Sequence, residues 1–266
     1  MNSFLKYSDI SSLDGMNRIQ IKHFIMEHGN KKKWSPKTTR NYLQTLSLFC
    51  DWLVAEEFIS VNPVKTIQKP RLQKSVRSFL SVEQAEDLLE CARVFPGKSK
   101  FERLRAYAIL ATFLFTGIRK SELLNLKIEH ILFDREDILI QKGKGQKDRL
   151  LPMIPRLVDI LTLYFKVREQ EGYTTSFFFP ALRTNSRLGS KSLQRMVNIL
   201  KEQSGINFYP HLLRHTFATQ LLSQGVTLPD VSFFLGHANV QSTLPYLHSA
   251  VNPYRTTIRK LPFAHR

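Results

Sequence analysis

The stretch HLLRHTFATQLLSQGVTLPDVSFFLGHANVQSTLPY, His211 to Tyr246, decides how this chain is read. His211 and Arg214 are three residues apart, so on a helix they share a face and can point at one ligand. Gly236 breaks the helical pattern and His237 follows it. Tyr246 comes nine residues later, beyond a polar run from Ala238 to Ser242 that reads as a loop. Such a run can bring a phenol and three cationic or hydrogen-bonding groups to one place. Taken alone it is equally a helix-turn-helix, and the rest of the chain has to decide.

Composition narrows the partner. Over 266 residues, 39 Lys and Arg stand against 22 Asp and Glu, a formal net charge of +17 at pH 7. That excess favours a polyanion, with nucleic acid first and an anionic membrane second. An apolar content of 42% is ordinary for a globular protein with one large core or two modest domains, and it excludes disordered and collagen-like classes. The longest apolar run, Ala106 to Ile118, is interrupted by Thr112 and Thr116 and is too short to span a bilayer, so no membrane partner is expected. Met1 to Ile10 lacks the apolar stretch of a signal peptide. Cys50 and Cys91 read as core thiols of a reducing compartment without zinc spacing, and a cytoplasmic location is expected.

In chain order, residues 1–64 read as a helical domain. A weak helix is predicted near Asn17 to His28, and a stronger one opens at Ser35, an N-cap, with Pro36 at the first helical position. Tyr42, Leu46, Phe49 and Leu53 recur at helical spacing and are predicted to face a core. Lys31, Lys32, Lys33, Lys37 and Arg40 surround them. A solvated basic face is the plain reading of such a run; the basicity of the whole chain moves it toward contact with DNA phosphates. Residues 65–77, proline-containing, basic and without an acidic residue, read as a linker that places Lys69, Arg71 and Lys74 as further DNA-contact candidates.

A second domain is predicted over residues 78–266, with a C-terminal tail from about 251. Ser81 and Gln84 form a capping-box pattern. The next helix carries Leu104, Tyr107, Ala108, Ala111, Leu114 and Phe115 on one wide face and ends at Thr116-Gly117. Arg119 then stands at a helix start, where backbone N–H groups favour an anion. Three alternating segments follow, 129–133, 137–141 and 148–153, and are predicted to form a small antiparallel sheet. Gly143-Lys144-Gly145 puts Lys144 at the tip of a turn, where its ammonium can reach a ligand. Helices are predicted again at 156–171 and 192–204, with core residues at Phe177 to Pro180 between them.

Taken together, Thr116-Gly117-Ile118-Arg119-Lys120-Ser121-Glu122-Leu123, Gly143-Lys144-Gly145, His211-Leu212-Leu213-Arg214-His215, Leu235-Gly236-His237 and Tyr246 stand in one fixed order. That order resembles the tyrosine recombinases of the phage-integrase family, and most closely their compact Xer-like members. The resemblance covers about residues 78–250 and is weaker over 1–64, a stretch similar to the family's helical core-binding domain. It implies a mostly α fold with a small antiparallel three-stranded sheet, in a two-domain clamp on DNA.

What the resemblance implies for chemistry can be stated residue by residue. Phosphodiester displacement requires a nucleophile, neutralisation of the charge on the phosphorus oxygens, and an acid for the leaving alcohol; the chain supplies all three with no cofactor and no metal. Tyr246 is the implied nucleophile, forming a 3′-phosphotyrosyl bond. Arg119 and Arg214 would grip the non-bridging oxygens, because a guanidinium fork matches phosphate geometry. His211 would accept the tyrosine proton, Lys144 would protonate the 5′-oxygen, and His237 would add a hydrogen bond to the phosphate. The implied partner is double-stranded DNA with inverted half-sites, held by a tetramer of this chain or of this chain with a related recombinase. The tail, through Leu261 and Phe263, would dock on a neighbouring protomer.

Plainer readings stand beside these. His215 is a packing histidine, His248 a surface one, and Glu122 a structural partner of Arg119. Tyr254 is the competing nucleophile, at a spacing from His237 that does not fit. Pro245, directly before Tyr246, restrains Leu244 and either fixes the tyrosine's approach or limits its movement. The alternatives for the whole chain are another tyrosine-based strand-transfer enzyme and a non-catalytic helix-turn-helix regulator, which has no use for Arg119 and Lys144.

Overall fold

Ser35 and Asn17 set the first elements. The computed structural model of the chain describes residues 16–72, 78–141, 148–182 and 184–236, and the chain divides into two compact units, Met1–Ser75 and Val76–Arg266. In the first unit the Asn17 side chain accepts from the N–H groups of Ile19 and Gln20 at the start of α1 (Arg18–Lys31). Ser35 accepts from the Thr38 N–H at the start of α2 (Pro36–Ala55), satisfying a donor that the helix leaves orphaned. Leu43, Leu46, Cys50 and Leu53 of α2 are buried against Ile21, Phe24 and Ile25. Tyr42 and Phe49, predicted in the stripe, sit at its edge instead.

Val64 and Ile67 also pack on this core, Lys65 pairs with Asp51 at 2.8 Å, and the buried Asn62 amide donates to Asp51 at 3.0 Å. The first unit therefore runs past residue 64, where its end was expected, because Asn62 and Lys65 bind the chain back to α2. Among the described residues no helix is long and apolar enough to cross a membrane.

The second unit opens with α3 (Val82–Arg93), where Ser81 and Gln84 complete a capping box in both directions. Its centre is α4 (Lys100–Thr116). Three of the predicted core residues, Leu104, Tyr107 and Phe115, are only half-buried, whereas Phe101, Ala106, Ile109, Leu110 and Phe113 are buried as well. The helix is thus wrapped nearly all round rather than along one face, as befits a helix apolar on every side. Gly117 ends it at φ 60°. A Cβ there would lie 2.5 Å from the Phe217 ring, in a left-handed conformation that L-residues resist. Gly117→Ala is expected to lower stability by about 2 kcal/mol or more, as a fall in melting temperature.

After the short α5 (Lys120–Leu124) come β1 (Ile131–Leu132), β2 (Asp137–Ile140) and β3 (Arg149–Pro152), antiparallel in the order β1-β2-β3. Ile138 of β2 faces Ile131 on one side and Leu151 on the other. The first strand is shorter than the predicted 129–133 because Ile128–His130 and Phe133–Arg135 curl into 3-10 turns. Four helices follow: α6 (Pro155–Gln170), α7 (Ser190–Ser204), α8 (Pro210–Ser223) and α9 (Leu228–Leu235). Phe178 and Phe179 are buried with Tyr164, as the sequence predicts, whereas Phe177 of the same run is half-buried. The fold is mostly α with a small three-stranded antiparallel sheet. The Gly143 to Gln146 turn, the 238–242 loop and the tail lie outside the described residues.

Candidate active site

Two helix starts and a helix cap meet at one pocket. α7 and α8 both begin without a side-chain cap, at Gly189 and Tyr209. Their first residues, Ser190 and Pro210, line a concavity of about 550 Å³ together with Arg119, Lys120, Arg187, His211 and Arg214. Arg119 and Arg214, far apart in sequence, thus share one pocket with His211. His211 is exposed on the first turn of α8, and Arg214, one turn on, is only 2% exposed. The Arg119 side chain is 36% exposed and open to a ligand.

The guanidinium groups are held by main-chain carbonyls. Arg214 donates through Nη1 to the Gly117 carbonyl at 2.7 Å and through Nη2 to the Leu235 carbonyl at 2.6 Å. Arg119 donates through Nη2 to the Gly236 carbonyl at 2.8 Å, and Arg149 through Nε to the Phe234 carbonyl at 3.1 Å. Three successive carbonyls, at the end of α9 where the helix dipole is negative, each receive one arginine. Gly117 and Gly236, both at φ 60°, end α4 and α9 with carbonyls turned to these cations. The two glycines of the sequence pattern are therefore part of the site's frame.

Glu122 completes the frame. Its carboxylate accepts from the Arg119 N–H and Nη1, both at 2.9 Å, and from Arg149 Nη1 and Nη2 at 3.0 and 2.8 Å. Burial pushes its pKa up; the Arg149 fork, then the N–H and guanidinium of Arg119, outweigh that and hold it at about 2 instead of 4.5. A depressed carboxylate contributes stability that is present above its ordinary pKa and is lost as the pH falls toward the folded value. Glu122→Gln is therefore expected to lose on the order of 3 kcal/mol of stability at neutral pH, the deficit shrinking in urea melts taken from about pH 6 down to pH 3.

Of the residues singled out in the sequence, Arg119, His211 and Arg214 are brought together; Lys144, His237 and Tyr246 lie outside the described residues, as does Lys74. The N–H of Arg119, expected to be open to an anion, is occupied by Glu122, and α5 spans only 5 residues. His215 is buried, with its ring edge-on to Phe79 at 6.4 Å. In the first unit Lys31, Lys32, Lys33, Lys37, Lys69 and Arg71 are exposed and Arg40 is half-buried. Lys69 and Arg71 line a groove of about 520 Å³ with Arg18 and Lys22. Sequence reasoning missed Arg187 and Arg149. Arg187 donates to the Asn125 side chain at the pocket edge, a contact between distant positions with no local signature. Arg149, five residues after Lys144 in the sequence, begins a strand whose next residues are apolar, and a cation at that place was the available signal.

Residues 78–252 match the phage integrase family. A tyrosine recombinase of Pseudothermotoga lettingae is 30% identical over 263 residues, which are 97% of this chain and 86% of that one. Tyrosine recombinase XerC of Thermodesulfovibrio yellowstonii is 32% identical over 237 residues, 86% of this chain and 77% of that one. The crystal structure of the XerH site-specific recombinase, bound to palindromic difH substrate in a post-cleavage complex, shares the fold at a TM-score of 0.77 and 24% identity, over 97% of this chain and 76% of that one. A pocket built from two arginines and a histidine of the shared pattern, in this fold and with these relatives, leads to one assignment: the chain belongs to the phage integrase family, as a tyrosine recombinase similar to its compact Xer-like members, and is an enzyme of site-specific DNA recombination.

Proposed function

We propose that this protein cuts and rejoins double-stranded DNA at a site with inverted half-sites, through a 3′-phosphotyrosyl intermediate and without a metal. The observation that carries the proposal is the joint pocket of Arg119, His211 and Arg214, whose charges suit a phosphodiester. Tyr246 Oη attacks phosphorus while His211 takes its proton. The P–O5′ bond breaks, and Lys144 delivers a proton to the departing 5′-oxygen. Arg119 and Arg214 hold the non-bridging oxygens, with a hydrogen bond from His237. A second strand's 5′-hydroxyl then reverses the step onto a new partner.

The wider assembly follows from the same reading. Residues 1–64 and 78–266, joined by the basic 65–77 segment, close around the duplex, with Lys31, Lys32, Lys33, Lys37, Arg40, Lys69, Arg71 and Lys74 on phosphates. Four protomers, of this chain or of this chain with a related recombinase, hold two duplexes through the tail beyond about residue 251, in the cytoplasm. The XerH complex on a palindromic substrate supports the symmetric site. The regulator alternative has no use for the joint pocket of Arg119, His211 and Arg214.

The test is direct. A duplex is selected from a random pool on the wild-type protein, nicked between its half-sites, and incubated with the protein in chelator. A protein–DNA adduct that survives denaturation is expected; its absence on every selected duplex would return the regulator reading. Binding is also expected to weaken by about a thousand-fold or more between roughly 50 and 200 mM salt, as counterions return to the phosphates, measured by fluorescence anisotropy.

A further inference from the structure

Arg149 is a buried cation that the proposed chemistry does not use. Its side chain is 3% exposed and it does not line the pocket. All three guanidinium nitrogens are nevertheless committed: two grip both oxygens of Glu122, and Nε holds the Phe234 carbonyl. The charged groups bonded to Glu122 are Arg119, at the start of its own helix, and Arg149, from β3; Arg214 reaches the neighbouring Leu235 carbonyl from α8. Arg149 also fills the space over Gly236, where a Cβ would lie 2.8 Å from its guanidinium carbon.

The charges explain why a second cation sits there. Arg119 and Glu122 alone form a neutral pair, in which the carboxylate offsets the charge that the pocket has to offer an anion. Arg149 shares that carboxylate, and the three groups together keep one net positive charge beside the pocket. Its fork also fixes the plane of Glu122, and through it the plane of Arg119. The same side chain ties β3 to the end of α9. One buried residue thus meets, through Glu122, the support of Arg119 and, through Phe234, the helix end that also holds Arg119 and Arg214.

We propose, resting on the recombinase reading, that Arg149 is a positioning residue for strand cleavage: it counterbalances Glu122 so that Arg119 presents its charge to the phosphate, and it holds the end of α9 in register with β3. It touches no reacting atom. Its loss slows the chemical step without loosening the grip on DNA, which rests on other cations.

The experiment uses the full chain and the nicked, selected duplex. Adduct formation is followed at saturating protein, and affinity is measured separately. Arg149→Lys keeps the charge and loses the fork; it is expected to fold, to bind within about two-fold of wild type and to cleave about ten-fold more slowly, with the same final yield of adduct. Arg149→Met is expected to slow cleavage on the order of a hundred-fold. A purely structural role would instead lower yield and affinity together and leave the rate of the surviving fraction unchanged. That result, or Arg149→Lys cleaving at the wild-type rate, would overturn the inference even where Arg149→Met fails to fold. No adduct from the wild-type protein would overturn the recombinase reading itself, and the positioning role with it.

Discussion

Tyr246→Phe is expected to abolish the denaturation-resistant adduct while leaving DNA affinity unchanged. The change removes one oxygen, the atom that would bond to phosphorus, and keeps the ring. Among the described residues the pocket is lined by the cations Arg119, Lys120, Arg187 and Arg214, by His211 and by the hydroxyls of Ser121 and Ser190, and by no tyrosine. The expected fall is to background, beyond the hundred- to ten-thousand-fold effect of losing a general acid or base. The readout is a denaturing gel of labelled nicked duplex, with anisotropy as the binding control. An adduct that persists would move the nucleophile elsewhere, with Tyr254 the next residue to test.

The second large effect is expected at Arg214, and it splits in two. Arg214→Ala removes a donor proposed for the phosphate, a loss that corresponds to about 3 kcal/mol of barrier, roughly a hundred-fold in rate. It also leaves the carbonyls of Gly117 and Leu235 without their guanidinium partner, at about 1–3 kcal/mol each if both stay dry. The variant should therefore cleave slowly and melt early. Arg214→Lys separates the two effects, because one ammonium cannot span the two carbonyls and still face the phosphate. Its melting temperature should recover in part while its cleavage rate stays low. Equal rates for Arg214→Lys and wild type in the adduct assay would remove Arg214 from the phosphate site.

Much of this was legible before any coordinates. Ser35, Ser81 and Pro36 act where they stand in sequence, because a cap is satisfied by residues three or four positions away. The pairing of His211 with Arg214 was legible for the same reason, since both lie on one helix. The burial of α4 nearly all round was not, because Leu104 and Phe101 differ in which neighbours arrive from elsewhere in the chain. Nor was the Glu122 network: Arg119 is three residues away, within the reach of a helical pattern, but Arg149 comes from a strand 27 residues on and enters through tertiary packing. The role of Gly236 was half legible. A helix stop can be read from a glycine, whereas the Arg149 guanidinium lying over it cannot.

The grip of Arg149, Arg214 and Arg119 on the carbonyls of Phe234, Leu235 and Gly236 bears on which changes the helix before them can accept. Main-chain acceptors survive any side-chain replacement, so exposed positions of α9 such as Asp230 and Phe233 are free to diverge without touching the arginines. Changes of length are another matter. Each residue added to or removed from a helix turns everything beyond it by about 100° and shifts it by about 1.5 Å, so an insertion or deletion within Leu228–Leu235 would draw all three acceptors away at once. The helix is tolerant of substitution at its exposed positions and intolerant of a single-residue change in length.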